Sequence, residues 1–447
     1  MERTLVTDTL KKIGQKVLLK GWINTRRDHG KIAFIDLRDR SGIIQTVYTA
    51  TILEKIKDLH LQDLVAIEGI VKSRPQNLVN KILPTGTVEI EVEKINLLVK
   101  AAELPFDMGG PELKVELPTL LDYRSLTLRH PKVLAAFKVQ EVILQTFRQT
   151  LKEQGFTEIS IPTIVATATE GGSELFPIEY FDKKAYLAQS PQFYKQIMVG
   201  VFERVFTAAH AYRAEPSVTT RHITEYVGLD AEMGFINDWT EVMNMAELVI
   251  KEIFQQVKKS CSYELGLYQI TIPKTVNQTP CVKLKEAQEI IFKRTKIDHR
   301  DQPDLDPEDE REICRWALEE KGSEIIFITH YPTKKRPMYT HPDPKDPNYT
   351  LSFDLIGRGV EWITGSQRIN DYHKLVANIK KWGCNPKDFE IPYLQAFKYG
   401  LPKEGGFCMG LERITQNILG LTNIREATLF PRDMTRIDVR LSKQQIK

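Results

Sequence analysis

The sequence predicts an α+β protein in two parts, a small all-β barrel followed by a larger domain of strands and helices. The chain has 447 residues, which is too long for one ordinary core and suits two domains. Short strands separated by turns fill residues 15–95, whereas helical spacing of apolar side chains begins at Val133. This change of pattern separates the two parts.

The β pattern is clearest in three consecutive segments. Val17–Ile23 is a largely apolar run, and Ala33–Arg38 alternates apolar and polar side chains. Asp39–Gly42 is typical of a hairpin turn, and it leads into a strand at Ile43–Tyr48. Short strands that follow one another this closely favour closure into a small barrel.

One face of the predicted barrel has the composition of a surface that binds single-stranded nucleic acid. Phe34 provides an aromatic platform, with Arg26, Arg27 and Gln45 beside it. Residues 1–50 hold ten Lys or Arg against five Asp or Glu, so this part is locally basic although the net charge of the chain is only +3. An ordinary solvated sheet with one aromatic residue is the alternative.

The second part opens with a helix and a strand. Apolar side chains within Val133–Leu151 keep helical spacing, and Gly155 is placed to end the helix. A strand over residues 156–161 follows and stops at Pro162. Further along the chain, Asp306 is placed to cap an acidic helix that has proline at its first position.

Composition excludes several classes of protein. No apolar run approaches the ~20 residues that a membrane span requires, and the N-terminal residues lack the long apolar core of a secretory signal. The five cysteines are scattered and odd in number, so neither a disulfide framework nor a zinc site is indicated. The sequence therefore predicts a cytoplasmic protein without a membrane segment.

A nucleotide site without a phosphate loop is indicated in the second part. Gly405–Gly410 has a GxxxxG spacing, but the next two residues are Leu and Glu, where a Walker loop needs Lys and Ser or Thr. Isolated arginines occur instead at positions 213, 221 and 413. Because the guanidinium group suits phosphate oxygens and stacks on purines, three arginines that converge from separate elements could hold a bent triphosphate. Taken singly, each is weak evidence, since most arginines are surface residues.

Three segments resemble the motifs of the class II aminoacyl-tRNA synthetases. Their order along the chain is that of the family's motifs 1, 2 and 3. Motif 1 corresponds to the helix and strand that end at Pro162, motif 2 to Tyr212–Glu215 and motif 3 to Gly410–Arg413. The resemblance covers nearly the whole chain. It implies an OB-fold anticodon-binding domain over residues 1–100, a hinge over 101–125, and a catalytic domain over 126–447 built on an antiparallel sheet flanked by helices, with an insertion at about 260–345.

Longer stretches resemble the aspartyl-tRNA synthetases within this class, namely Ala168–Phe176, Gln189–Gln196, Arg221–Met233 and Asn423–Arg432. The chain between motifs 2 and 3 is too short for the extra domain of the bacterial enzyme, so the resemblance is to the archaeal and eukaryotic type. The implied reaction is ATP-dependent activation of L-aspartate and its transfer to the 3′ end of tRNA(Asp), with Mg²⁺ as cofactor. The family's motif 1 contact implies a homodimer.

The resemblance assigns the ATP contacts residue by residue. Arg213 would bind the α-phosphate and stabilise charge as aspartate attacks it, and Arg413 would lie against adenine and the γ-phosphate. These two arginines are the predicted catalytic residues. Arg221 and His222 would hold the β and γ phosphates. The adenine contacts would be Glu215, which recognises the ring edge, and Tyr226, which stacks on the ring.

Asp354, Glu361 and Thr364 resemble the magnesium site of the family, with Glu361 also counted among the ATP contacts. Thr364 stands three residues after Glu361, so a flat strand would turn the two to opposite faces. Both reach one metal only if a bulge intervenes. Paired or solvated strand carboxylates are the alternative for Asp354 and Glu361.

For the amino acid, Lys195 and Arg368 occupy the positions at which the family pairs the side-chain carboxylate of aspartate. Glu170 and Asp230 would receive the α-ammonium, and Gln192 would contact the main-chain groups of the substrate. Asparaginyl enzymes lack the Gln-Ser-Pro-Gln and Lys pattern, which favours aspartate. An asparaginyl-tRNA synthetase, an amidating paralogue and a tRNA-binding relative without catalysis are the alternatives.

The resemblance also predicts which residues read the anticodon. His29 stands where relaxed bacterial relatives carry histidine, so the sequence predicts charging of both tRNA(Asp) and tRNA(Asn), whose anticodons differ at the third letter. A loop histidine without a base contact is the alternative, and Asn77 matches neither pattern. The predicted anticodon residues are Arg27, His29, Phe34, Gln45 and Glu89.

Overall fold

Two units with separate apolar cores make up the part of the chain that the computed structural model describes, residues 1–167 and 175–441. The first unit is Met1–Leu134, and the second begins at Ala135. Among the described residues, no helix is long and apolar enough to cross a bilayer.

The first unit contains the predicted barrel. Its elements are β1 (Lys16–His29), β2 (Ile32–Arg38), β3 (Ile43–Tyr48), α1 (Ala50–Ile56), β4 (Leu64–Ser73) and β5 (Val88–Val99). The strands close in the order β1-β2-β3-β5-β4. Neighbouring strands are antiparallel except β3 and β5, which are parallel.

The side chains of β2 alternate between the inside and the outside of the barrel, as predicted. Ala33, Ile35 and Leu37 are fully buried in its core, whereas Phe34 remains partly exposed on the outer surface. The predicted hairpin turn joins β2 to β3. The carboxylate of Asp39 stabilises it by accepting a hydrogen bond of 2.7 Å from the main-chain N–H of Ser41.

The second unit is built on a large sheet. Its strands, with those of a smaller sheet, are β6 (Thr157–Glu158), β7 (Ile164–Val165), β8 (Pro177–Tyr180), β9 (Lys183–Leu187), β10 (Arg204–Tyr212), β11 (Glu225–Gly234), β12 (Cys281–Lys283), β13 (Ile325–Thr329), β14 (Ser352–Gly357), β15 (Val360–Gln367) and β16 (Glu404–Gly410). The large sheet has the order β12-β13-β14-β15-β16-β11-β10-β6, and the small one β7-β9-β8. Neighbouring strands between β13 and β10 in this order are antiparallel, as predicted. The pairs at the two ends of the sheet, β12 with β13 and β10 with β6, are parallel.

Helices flank this sheet, as predicted. Two short helices of the first unit, α2 (Leu117–Asp122) and α3 (Arg124–Thr127), precede them in the chain. The helices that follow are α4 (Pro131–Glu153), α5 (Gln192–Phe202), α6 (Thr240–Ser260), α7 (Ser262–Tyr268), α8 (Leu284–Thr295), α9 (Pro307–Lys321), α10 (Tyr372–Lys381), α11 (Gln395–Lys398) and α12 (Leu411–Leu419).

Two helices have the ends that the sequence predicts. After α4 the chain turns at Gly155, whose φ of +79° lies in the left-handed region that favours glycine. Asp306 caps α9, because its side chain accepts hydrogen bonds from the N–H groups of Glu308 and Asp309. The strand predicted over 156–161 is shorter than expected, since β6 forms its ladder with β10 over two residues only.

Residues 260–345 are part of the second unit and contribute strands to its large sheet. β12 and β13 extend the large sheet beyond β14, and α8 and α9 pack with them around a cluster of buried apolar side chains that includes Ile313 and Ile326. This packing places α9 against β14 and β15.

Candidate active site

Two neighbouring cavities lie over the central strands β10, β11, β15 and β16. Their volumes are about 260 Å³ for the first cavity and about 100 Å³ for the second cavity. Arg213, Tyr226, Glu361, Thr364 and Cys408 line both. Because the cavities share these walls, one ligand can extend from the first into the second.

The structure brings most of the predicted substrate residues to these walls. Asp354 lies just outside them, and Glu170 falls outside the described residues. The first cavity is lined by Gln192, Lys195, Asp230 and Arg368, among others, and the second by Glu215, Arg221, His222 and Arg413.

One wall of the first cavity is a buried network of charges. Lys195 on α5 contacts Asp230 Oδ1 at 2.8 Å and Glu232 Oε2 at 3.2 Å. Arg368, directly after β15, donates from Nε to Glu232 Oε1 at 2.7 Å and from Nη1 to Ser366 Oγ at 2.6 Å. Asp230 and Glu232 stand two residues apart on β11, so both side chains project from the same face of the sheet.

This network keeps two buried cations charged. Burial opposes the charge of Lys195, but the attraction of Asp230 and Glu232 outweighs it and raises the pKa of the ammonium group. The side chains of Lys195 and Arg368 are only 2% and 7% exposed. Because an ammonium group has three donors and two of them face carboxylates, one remains for a ligand. The wall therefore suits a carboxylate.

A third carboxyl group, Glu404, lies behind this wall and is fully buried. Gln196 Nε2 donates to Glu404 Oε1 at 2.8 Å, and the hydroxyl of Tyr393 donates to Gln196 Oε1 at 2.9 Å. Burial and the nearby charge of Glu232 raise the pKa of Glu404 well above its usual range. Burial beside Glu232 therefore favours the neutral form of Glu404, whereas Asp230 and Glu232 contact the two cations directly.

The second cavity combines arginines with an aromatic ring. The guanidinium group of Arg213 lies 5.5 Å from the centre of the Tyr226 ring. Arg413 donates from Nη1 to the main-chain oxygen of Glu361 at 3.2 Å, and the same nitrogen lies 3.6 Å from its carboxylate. Arginines in such a setting bind polyphosphate oxygens, and the ring offers a face to a purine.

His222 adds a neutral hydrogen-bonding group to the second cavity. Its Nδ1 lies 2.8 Å from Thr219 Oγ1 and 3.7 Å from Glu215. Burial lowers the pKa of His222, and the arginines around it act in the same direction, which together outweigh the opposing attraction of Glu215. The lowered pKa favours the uncharged imidazole at neutral pH.

The bulge that would allow Glu361 and Thr364 to reach one metal is present in β15. The register between β14 and β15 shifts by one residue directly after Glu361, so Glu361 and Thr364 both reach the two cavities. The condition under which both residues could reach one metal is therefore met.

The side chains at this bulge fit a divalent cation. Arg336 donates to Asp354 Oδ2 at 2.6 Å and to Thr364 Oγ1 at 3.0 Å. The other carboxylate oxygen of Asp354 is buried and has no hydrogen-bond partner among the described residues. Burial and the charge of Asp354 raise the pKa of Glu361 to about 7. Two close carboxyl groups with an unsatisfied oxygen form the hard oxygen donor set that Mg²⁺ prefers.

In the first unit, the barrel brings the predicted anticodon residues together. Arg27 Nη2 donates to Gln45 Oε1 at 3.2 Å, and Gln45 Nε2 donates to Glu89 Oε2 at 2.9 Å. The rings of His29 and Phe34 meet edge to face at 5.8 Å. The five residues thus form one surface with hydrogen-bonding groups beside a partly exposed aromatic ring.

Four residues of the site were missed in the sequence. Glu232 had a usable signal, because it stands two residues after Asp230 on the same strand. Arg336 and Glu310 had none, since each comes from a segment without a motif. Glu404 stands next to Gly405–Gly410, but no local pattern indicates that it is buried beside Glu232. Glu310 on α9 accepts a hydrogen bond of 2.8 Å from Arg221, which is 89 residues away in the chain.

Comparison with protein families agrees with this fold and these cavities. Residues 116–434 match the tRNA synthetases class II (D, K and N), and residues 17–98 match the OB-fold nucleic acid binding domain. The chain therefore belongs to the class II tRNA synthetases of the D, K and N group and carries an OB-fold domain before the catalytic domain.

Individual relatives place the chain more narrowly within this group. It is 40% identical to the aspartate–tRNA(Asp/Asn) ligase of Deinococcus radiodurans, covering 98% of this chain and 99% of the relative. It is 38% identical to the aspartate–tRNA(Asp) ligase of Pyrococcus abyssi, with 95% and 96% covered. Among solved structures, asparaginyl-tRNA synthetase from Pyrococcus horikoshii with asparaginyl-adenylate superposes with a TM-score of 0.88 at 33% identity, over 98% of this chain and 99% of that one.

Proposed function

We propose that the protein is an aspartate–tRNA ligase that activates L-aspartate with ATP and transfers it to tRNA. The observation that carries this proposal is the pair of buried cations, Lys195 and Arg368, in the wall of the first cavity. The names of the similar ligases agree with it.

In the first step, the α-carboxylate of aspartate attacks the α-phosphorus of ATP in line, and pyrophosphate leaves. Arg213 lines both cavities, so it stands where the amino acid and the α-phosphate would meet. Its guanidinium group stabilises the negative charge that develops on the phosphoryl oxygens. Arg221, His222 and Arg413 hold the rest of the nucleotide, and no protein nucleophile is required.

In the second step, a hydroxyl of the terminal ribose of tRNA attacks the carbonyl carbon of the aspartyl-adenylate. The ester bond to tRNA forms and AMP leaves. Glu361, Thr364 and the free oxygen of Asp354 would hold Mg²⁺, which neutralises phosphate charge when bound. We place the reaction in the cytoplasm, where tRNA is charged.

Aspartate is favoured over asparagine by the charge of the first cavity. A carboxylate completes the hydrogen bonds of Lys195 and Arg368, whereas an amide brings an N–H₂ group against these donors. Buried donors left without an acceptor are costly, so a site of this kind discriminates without a separate editing reaction.

Aminoacylation with labelled amino acids tests the proposal. The purified protein should attach aspartate to tRNA with ATP and Mg²⁺, and asparagine should not compete. Attachment of asparagine would establish the asparaginyl alternative. Amidation of aspartate without esterification of tRNA would indicate a paralogue, and absence of both reactions would indicate a binding protein.

The protein is proposed to charge both tRNA(Asp) and tRNA(Asn). We expect the wild type to aspartylate both transcripts with comparable kcat/KM, because His29 approaches either pyrimidine without excluding one. His29→Leu should lower charging of tRNA(Asn) relative to tRNA(Asp) by up to about tenfold, the effect of one hydrogen bond to a base. The measurement is kcat/KM for the two transcripts.

Lys31→Leu is the matched control, since Lys31 is an exposed residue of the same hairpin. This substitution should lower kcat/KM equally for both transcripts, because a loop lysine contributes charge without reading a base. A wild type that already prefers tRNA(Asp) by about a hundredfold, more than one such bond supplies, would rule out the relaxed specificity.

A homodimer is proposed on the basis of the motif 1 segment. β6 is the end strand of the large sheet, so one of its edges has no strand beside it in the described part of the chain. An isologous contact would cover this edge in both protomers. Light scattering at micromolar concentration should give twice the mass of the chain. A fully active monomer under the same conditions would contradict the proposal.

A further inference from the structure

Helix α9 places an acidic side chain, Glu310, against Arg221, which lines the second cavity. The carboxylate of Glu310 accepts a hydrogen bond of 2.8 Å from Arg221 Nη1, and the two side chains are 14% and 26% exposed. Arg221 is a proposed ligand of the terminal phosphates, whereas Glu310 lies outside all three synthetase motifs. A partly buried pair of this kind is less screened by solvent than an exposed pair, so its attraction is stronger.

The same carboxylate is linked to two further nucleotide residues. Burial raises the pKa of Glu310, and this effect is opposed by the charge of Arg221, by the charge of Arg413 and by a hydrogen bond from the main chain of Glu361. Glu310 thus connects the loop between β10 and β11, which bears Arg221, with the strand that bears Glu361.

Tight packing holds α9 in this position. Gly359, in the turn between β14 and β15, has a φ of +76°, and a Cβ atom built there would lie 2.6 Å from Arg311 Cγ on α9. The carbonyl oxygen of Gly359 accepts a second hydrogen bond from Arg221, through Nη2 at 3.3 Å. The guanidinium group is therefore fixed from two directions by elements that are packed against each other.

We propose that Glu310 is a positioning residue for ATP, which orients Arg221 so that its remaining N–H groups face the terminal phosphates. A guanidinium group has five donors, and the contacts to Glu310 and Gly359 use two of them. Fixing the side chain before ATP binds removes the loss of rotamer freedom that binding would otherwise cause. The proposal rests on the proposed function, since it assigns Arg221 to ATP.

Glu310→Gln in the full-length protein tests this role. Glutamine retains an acceptor for the main chain of Glu361 but removes the charge that holds Arg221. In aspartate-dependent ATP–pyrophosphate exchange, the KM for ATP should rise roughly tenfold or more, because misplacing a substrate-positioning group has effects of this size. The kcat and the KM for aspartate should stay within about twofold, since a contact made equally in the ground and transition states affects KM.

Two comparisons separate positioning from a general structural effect. Glu308→Gln is the matched control, because Glu308 is an exposed residue of the same helix that pairs with Arg311, and it should behave as the wild type. In an Arg221→Met background, Glu310→Gln should have no further effect on the KM for ATP, because the residue it orients is gone.

Several outcomes would overturn the proposal. For Glu310→Gln, these outcomes are an unchanged KM for ATP, a lower KM for ATP, which would mean that Glu310 hinders ATP binding, or an equal rise in the KM for aspartate. A further rise in the KM for ATP when Glu310→Gln is added to Arg221→Met would also overturn it. Glu310→Asp, which keeps the charge on a shorter arm, should also raise the KM for ATP and serves if the Gln variant does not fold. A wild type without aspartate-dependent exchange would instead contradict the proposed function.

Discussion

Replacing Lys195 with leucine is expected to lower kcat/KM for aspartate activation roughly ten-thousandfold, the discrimination reached by sites built to hydrogen-bond one substrate group. The ammonium group lies in the wall of the first cavity and has one donor left after its contacts to Asp230 and Glu232. ATP binding in the second cavity should change little, because Lys195 does not line it. The measurements are aspartate-dependent pyrophosphate exchange and equilibrium binding of ATP.

The same change should also lower thermal stability. Asp230 and Glu232 would remain buried with one cation fewer, and breaking a buried ion pair costs about 3–5 kcal/mol. Unfolding is therefore followed in parallel, and Lys195→Met, which keeps the apolar stem, serves as a milder second variant. Lys184→Leu, an exposed lysine on β9, is the control. Exchange within a few-fold of wild type in a folded Lys195 variant would refute the assigned role.

Replacing Arg213 with lysine should lower kcat for activation about 100- to 1000-fold, as is typical when one donor to a developing negative charge is removed. Lysine keeps the charge but lacks the planar fork that contacts two phosphoryl oxygens at once. Because this contact strengthens as charge develops, kcat should fall more than ATP affinity. Single-turnover formation of the adenylate measures the step directly.

Arg204→Lys is the control for this experiment. Arg204 begins the same strand, β10, and donates to the main chain of Gln154 away from the cavities. It should retain wild-type kcat. If Arg213→Lys raised only the KM for ATP and left kcat unchanged, Arg213 would be a ground-state contact and the electrostatic role would be wrong.

Much of the fold could be predicted because its signals are local. Alternation in β2 determines which side chains enter the barrel core, and the helical spacing before Gly155 determines the buried stripe of α4. The cap at Asp306 depends only on the next three residues. The spacing of Glu361 and Thr364 left two possibilities open, a bulge between them or no shared metal, and only the structure shows the bulge.

The rest of the site depends on contacts that no local pattern encodes. Arg336 and Glu310 come from the stretch 260–345, which has no motif. Arg336 lines the first cavity and Glu310 contacts Arg221 only because β13 extends the large sheet and α9 packs against it. The pKa of Glu404 is raised by burial and by the nearby charge of Glu232, and only the tertiary fold creates that setting. The parallel pairing at both ends of the sheet likewise depends on tertiary packing, since a strand's sequence does not specify its neighbour.

Amino-acid selection by the first cavity is measured by the ratio of pyrophosphate exchange with aspartate to exchange with asparagine. This ratio is decisive because the asparaginyl enzyme from Pyrococcus horikoshii has a closely similar fold. A wall that holds Lys195 and Arg368 charged predicts that saturating aspartate supports exchange at least about a thousandfold faster than asparagine. Comparable rates with the two amino acids, or a preference for asparagine, would show that Lys195 and Arg368 do not select aspartate.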